Sequence, residues 1–249
     1  MDPILYNAAS GSKGDFNKQA IIANNLANVN TPGFKADLYQ AQTMYLNANG
    51  TNEADNQSFN VQAPNGIDLT PGGLVTTGRD LDVAVSGEGW IALKDSQGRQ
   101  VYARGGSFQV NTNGQLITAS GKAVLGDGGP ISIPPAKSVE IGSDGTISII
   151  PMEGDSNSLA VLDRIKLVTL DKNNLVKNEE GMLQLKQGAA TPVADASVKL
   201  VNGAVEGSNV KAIEQMVEMI SVGREYEAQM KILSTVDDNS QKLAQLLHE

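Results

Sequence analysis

The chain has 249 residues, 40% apolar but only 4% aromatic, with 19 Lys and Arg against 28 Asp and Glu for a net charge of -9. That length suits one large domain or two modest ones and is ample for a packed core; the excess of acid, without a basic cluster, excludes ordinary binding to phosphate backbones. The absence of cysteine excludes disulfides, thiolate metal sites and cysteine nucleophiles, and no apolar run approaches the roughly 20 residues of a membrane span.

Residues 1–35 read as an N-terminal helix and its exit turn. Asp2 is placed to cap it, and Pro3 stands at the first helical position, where a missing N–H costs nothing. Leu5, Ala8, Ser12, Phe16, Gln19, Ile22, Leu26 and Val29 recur at three- and four-residue steps along one stripe. The helix they predict runs to about Asn30 and is roughly 40 Å long. Thr31-Pro32-Gly33 stops it, because proline disfavours a helical residue before it and glycine admits positive φ. Residues 36–79, rich in Asn, Thr, Gly and Pro, read as an extended connector.

Residues 80–205 are dense in β signals. Leu81-Asp82-Val83-Ala84-Val85 alternates, and Asp80 and Asp82 read as one solvated face of that strand. Asn113-Gly114 and Asp144-Gly145 each sit between two short apolar runs and predict hairpin turns. Further strands are expected at residues 101–104, 123–125, 131–133, 164–170 and 182–185. Turns this frequent, without βαβ alternation, predict an antiparallel meander or a small barrel-like sheet. Residues 206–249 read as one long C-terminal helix capped by Ser208 or Asn209. Val210, Ile213, Val217, Ile220, Tyr226, Met230, Leu233, Val236, Leu243 and Leu247 follow a near-heptad rhythm that argues for a partner helix. The fold class is therefore α+β: long N- and C-terminal helices forming a helical core, with a central antiparallel β domain inserted between them.

Residues that carry chemistry are sparse. The lone histidine, His248, is next to last, with no acidic or histidine cluster beside it. The glycine-rich pieces at 86–89 and 126–130 lack the Gly-Lys-Ser/Thr signature of a phosphate loop. The acidic pairs Asp80/Asp82, Glu179-Glu180 and Asp237-Asp238 are not set among clustered aromatics. No catalytic, cofactor-binding or metal site is expected. The stretch Asn24-Asn25-Leu26-Ala27-Asn28-Val29-Asn30-Thr31-Pro32-Gly33-Phe34 stands apart, since several Asn lower helix propensity while the apolar spacing persists. Its amides serve either a local helix end or a neighbouring chain.

Ala23-Asn24-Asn25-Leu26-Ala27-Asn28, followed by Asn30-Thr31-Pro32-Gly33-Phe34-Lys35, resembles the N-terminal signature of the flagellar axial family of rod, hook and hook-associated proteins. Glu206-Gly207-Ser208-Asn209-Val210 resembles the family's lead-in to its terminal helix, although Lys211 stands where Asn is usual. The middle is similar too, through Leu81–Val85, Gly89-Trp90, Tyr102-Ala103-Arg104-Gly105-Gly106-Ser107-Phe108 and Gly114-Gln115-Leu116. The resemblance covers nearly the whole chain and is nearer to proximal-rod subunits than to distal-rod or hook-like ones. It implies a structural, non-enzymatic subunit of the bacterial flagellar rod that assembles through its terminal helices into a torque-transmitting tube. It also implies export through the flagellar type III apparatus without a cleaved signal, and a place in the periplasmic rod among its own copies and other rod subunits. Stripe and resemblance together nominate Leu5, Ala8, Ser12, Ile22, Asn25, Leu26, Asn28, Pro32, Gly33, Phe34, Ser208, Asn209, Val210, Ile213, Val217, Ile220, Met230, Leu233 and Leu243 as the assembly contacts. A cell-wall-active enzyme is the rival reading from another class.

Overall fold

The structure is a computed structural model that describes residues 3–46, 57–62, 66–152, 159–178 and 180–246, with the backbone alone at 3–6, 41–46, 57–62, 240, 243, 244 and 246. Asp2, Glu179, Leu247 and His248 lie outside these residues, as do the side chains of Leu5, Ser240 and Leu243. The chain divides into two compact units. One comprises Met1–Val29, Ala36–Asp68 and Val210–Glu249, and the other Asn30–Lys35 and Leu69–Asn209.

The first unit is built on helices α1 (Pro3–Ala27) and α2 (Ala212–Leu246). They run antiparallel: Gly11 lies against Gln229, Lys18 is 3.1 Å from Glu218, and Asn25 donates to Gln215 at 3.2 Å. Pro3 opens α1 as expected. Its last turn closes on Asn28, whose Nδ2 donates to the Asn24 carbonyl at 2.9 Å, so the helix ends before the predicted Asn30. The segment expected to be a connector carries paired strands: β1 (Asp37–Leu38), β2 (Ala41–Leu46), β3 (Gln57–Gln62) and β4 (Gly66–Ile67), with β1 on β4 and β2 on β3.

Helix α2 begins at Ala212 and not at residue 206. Neither Ser208 nor Asn209 stands next to its first turn, and the Asn209 amide instead donates to the Thr70 carbonyl at 3.2 Å. Lys211 takes the boundary position: its carbonyl accepts from Gln215 N at 3.0 Å, and its ammonium pairs with Glu214 at 2.8 Å.

The second unit is antiparallel β throughout its described pairings. Its strands are β5 (Leu74–Thr76), β6 (Asp82–Ser86), β7 (Trp90–Lys94), β8 (Gln100–Ala103), β9 (Gly105–Val110), β10 (Leu116–Thr118), β11 (Ala123–Gly126) and β12 (Gly129–Pro130). After these come β13 (Ala136–Ile141), β14 (Thr146–Pro151), β15 (Ala160–Arg164), β16 (Leu167–Val168), β17 (Leu175–Lys177), β18 (Leu183–Leu185), β19 (Lys199–Asn202) and β20 (Ala204–Glu206). The main sheet runs β17-β18-β8-β7-β11-β10-β9-β6-β19, with β12 on β11 and β16 on β7, so sequence neighbours pair at β7–β8, β9–β10–β11–β12 and β17–β18, and its other pairings join strands distant in sequence. A second sheet runs β13-β14-β15, and β20 pairs with β5.

Both predicted hairpins form. Asn111 Oδ1 accepts from Asn113 N and Gln115 N, each at 2.9 Å, and Gly114 takes φ 76° to close the turn between β9 and β10. Asp144 does the same for β13–β14, accepting from Thr146 N at 3.1 Å and Thr146 Oγ1 at 2.8 Å. The single strand predicted over 164–170 is two pieces. Ile165 leaves the ladder to bridge Gly126, and β16 then pairs with β7. Asp82 is no solvated side chain. It is buried in β6, where its Oδ2 accepts from Thr77 Oγ1 at 2.6 Å, because β6 is a central strand covered on both faces. The core is aliphatic, as the low aromatic content requires, with Val83, Ile91, Leu93, Val101, Leu116, Val124 and Ile147 sealed around Phe108.

Candidate assembly interface

The two signature motifs from opposite ends of the sequence meet inside the β unit. Glu206, the last residue of β20, is buried and accepts from Lys35 Nζ at 2.5 Å, Arg104 Nε at 2.9 Å and Gly72 N at 3.0 Å. Its backbone carbonyl accepts from Gly33 N at 2.7 Å. Arg104 spends its other N–H groups on the carbonyls of Gly89 at 2.7 Å, Gly87 at 2.6 Å and Val85 at 3.3 Å, and it lies over the Trp90 ring. Lys35 also donates to the Thr70 carbonyl at 2.7 Å. Lys177 completes the clasp from β17: its ammonium sits 4.1 Å from the Phe34 ring centroid and donates to the Lys35 carbonyl at 2.6 Å.

A buried charge triad of this kind is tolerated only because these partners satisfy each group. Of the nominated residues, Gly33, Phe34 and Asn209 take part in this clasp; Ser208 lies half-buried beside it, and Pro32 is exposed. The sequence reading missed the roles of Glu206, Arg104 and Lys177. Each lies in or near a recognised motif, yet a charged residue in a sequence carries no sign that it is buried.

In the helical unit, Asn25 acts within the chain. Its amide clamps the backbone of Asp37, donating to the carbonyl and accepting from the N–H, both at 2.9 Å, in the manner of a strand partner. Ala8, Ser12, Ile22 and Asn25 form the buried stripe of α1, with Leu26 and Asn28 half-covered. Phe16 and Gln19, expected on that stripe, are exposed, Phe16 by 64%. The inward position of that turn belongs to Asp15. Its Oδ2 and the Ser12 Oγ are both sealed from solvent without a hydrogen-bond partner. Burial pushes the Asp15 carboxyl above its ordinary range, Glu225 adds to the rise and Lys18 opposes it.

On α2 the arrangement is also inverted. Val222 is buried, Leu233 and Val236 are half-covered, and Val210 ahead of the helix is buried. Ile213, Val217 and Ile220, by contrast, stand 78%, 63% and 59% exposed, and Met216 and Met230 are exposed as well. An apolar stripe of this spacing turned to solvent is the mark of a helix awaiting a partner. A groove of about 670 Å³ by the β9–β10 turn is lined by Val110, Asn111, Ser132, Ile133, Pro134 and neighbours, with no titratable side chain. Among the described residues, no three His, Cys, Asp or Glu gather closely enough to hold a metal ion.

Comparison with known proteins gives this geometry its context. Residues 5–35 match the family described as "Flagella basal body rod protein", residues 84–149 "Flagellar hook protein FlgE/F/G D1 domain", and residues 201–246 "Flagellar basal body rod FlgEFG protein C-terminal". The chain is 38% identical over 252 residues to the flagellar basal-body rod protein FlgF of Salmonella typhimurium, covering 99% of each. It is 37% identical to FlgF of Escherichia coli at the same coverage. The chain belongs to the flagellar basal-body rod protein family. The family extends to FlgG, with 32% identity to the Bacillus subtilis protein over 97% of this chain and 98% of that one. The clasp residues fall inside the family matches: Lys35 ends the first, Arg104 lies in the second and Glu206 in the third.

Proposed function

We propose that the chain is a structural subunit of the proximal part of the flagellar rod, without enzymatic activity. It adds to a helical tube through α1 and α2 and transmits torque, with the β region carried outside a helical core as an insertion between the two helices. Its partners are further copies and neighbouring rod subunits, reached after export through the flagellar type III apparatus without a cleaved signal, and its place is the rod within the periplasm. The proximal assignment is favoured by 38% and 37% identity to the FlgF proteins of Salmonella typhimurium and Escherichia coli, above the 30–32% to the FlgG proteins, while the two Buchnera FlgF proteins, at 31% and 32%, fall within the FlgG range.

The observation that supports this reading best is the bare aliphatic face of α2, Ile213, Val217 and Ile220. Heterologous contacts that do not close on themselves build open helical tubes, and burying one such side chain is worth about 1.5–3 kcal/mol per contact. The nominated contacts divide accordingly: Ile213, Val217, Ile220 and Met230 face outward for a neighbour, and Ala8, Ser12, Ile22, Asn25 and Val210 hold the subunit itself. Ile220→Asp tests the reading in the cell, because it places an unpaired carboxylate where the neighbouring chain must pack. The expected result is a non-motile strain whose basal bodies lack the subunit, although the purified variant keeps the near-ultraviolet signal of Trp90. A motile strain would overturn the reading.

A further inference from the structure

In the sheet β13-β14-β15 each outer strand pairs with β14 alone among the described pairings, so the sheet has two open edges. At the β15 edge the run Leu159-Ala160-Val161-Leu162 carries no charge, and Leu159 and Val161 stand 55% and 73% exposed. Val161 lies opposite Ser148, whose neighbours Ile147 and Ile149 both enter the core, so alternation puts Val161 on the outer face. An edge strand in water is normally blunted by a charge or a proline. Here the charges, Asp163 and Arg164, come only at the far end of β15, where Arg164 Nε donates to the Asp144 carbonyl at 3.0 Å.

At the β13 edge the surface is concave. The groove of about 670 Å³ between the β9–β10 turn and the start of β13 is lined by buried Ile133, half-buried Val139 and exposed Val110 and Pro134. The amides and hydroxyls that complete its lining are uncharged. With no counter-charge to offer, it accepts a neutral, largely apolar occupant, and its volume is that of a site for several side chains. Pro134, Pro135 and the bulge between Ala136 and Ser138 blunt the backbone edge of β13, so an occupant seats by its side chains and not as an added strand.

We propose that the uncharged tip of β15, Leu159 and Val161, docks in the β13 groove of an adjoining copy of this chain. Tip and groove match in being neutral and apolar. They also lie at opposite edges of one sheet, so a copy whose groove is filled still has its own tip to offer. Such a contact is heterologous and repeats from copy to copy. It gives the β units a contact of their own, distinct from any made by the helices; that copies adjoin at all rests on the function proposed above. Two aliphatic side chains fall far short of the roughly 1,200 Å² that a stable complex buries. Free chains therefore dock only transiently, and neighbours held side by side dock for longer.

The chain has no cysteine, so introduced thiols report on this contact alone. Full-length Val161→Cys and full-length Ser132→Cys, both at exposed positions, are mixed at near-millimolar concentration and treated with a short bis-maleimide linker. The expected result is a mixed dimer that forms roughly tenfold faster than from Val161→Cys with Gln97→Cys, an exposed position in the β7–β8 turn. Adding Leu159→Asp to the first chain, or Val110→Asp to the second, is expected to lower the rate to that of the control pair, since either seats an unpaired carboxylate in the contact. The near-ultraviolet signal of Trp90 checks that each variant is folded.

Equal rates for the test and control pairs overturn the proposal. Self-linkage of Val161→Cys as fast as the mixture also overturns it, because the contact would then join like to like and could not repeat. A rate unchanged by both aspartates overturns it as well. Ile220→Asp reads α2 in the cell and this experiment reads the β units of free chains, so either result can fail without the other.

Discussion

Replacing Glu206 with alanine lowers the stability of the β unit by about 3–5 kcal/mol, because it strands two cations that the fold has already taken out of water. Lys35 and Arg104 have side-chain exposures of 2% and 4%, and the Glu206 carboxylate is the shared counter-charge of both. Without it, Lys35 keeps the Thr70 carbonyl and Arg104 keeps the carbonyls of residues 85, 87 and 89, which are dipoles and not charges. Lys35→Met is expected to cost clearly less. Glu206 then retains Arg104 and the Gly72 N–H, and the methionine fills most of the lysine's volume. Denaturant unfolding followed by Trp90 fluorescence measures both, since the ring lies 5.5 Å from the Arg104 guanidinium. A Glu206→Ala variant as stable as the parent, or one less affected than Lys35→Met, would show that the clasp is incidental to the fold.

Gly105→Ala is expected to prevent the β unit from folding, or to cost more than about 4 kcal/mol where folded protein is recovered. Gly105 pairs with Ala84 across β9 and β6 at φ 154°. A Cβ added there would lie 2.3 Å from the Val83 carbonyl oxygen and 2.8 Å from the Ala84 Cα. Both obstacles are backbone of a buried central strand, so neither can move without breaking the ladder. The adjacent Gly106 is the control: an added Cβ there meets nothing nearer than Phe108 Cε1 at 3.9 Å. Gly106→Ala should melt within a few degrees of the parent. Soluble yield, far-ultraviolet circular dichroism and thermal melts of the two variants decide the matter. Equal behaviour would mean that β9 has room to withdraw from β6.

The turns were legible because their chemistry is local. Each turn has a glycine at positive φ and a side-chain acceptor within three residues before it, Asn111 ahead of Gly114 and Asp144 ahead of Gly145, and both hairpins form on those atoms. Asn202-Gly203 has the same signature but joins strands that part company, β19 going to β6 and β20 to β5. Gly203 N–H donates to the Asp82 carbonyl at 2.8 Å, a partner far away in sequence. Asp82 was misjudged for a related reason. Alternation of Leu81, Val83 and Val85 with polar neighbours implies one wet face, but the strand lies between β9 and β19 and is covered on both sides.

Periodicity and motif identified the helices, the antiparallel β region and the family, because helix stripes and turn signals are written over spans of a few residues. Which side of each helix faces inward was not written there. A stripe through Ser12, Phe16 and Gln19 and one through Ser12 and Asp15 differ by a single position on a 3.6-residue wheel. Contact with α2 selected the second, turning Phe16 outward. Only the tertiary structure brought Lys35, Arg104 and Glu206 together, because ion pairing across 102 and 171 residues of sequence depends on which strands share a sheet, and local propensity does not encode that choice.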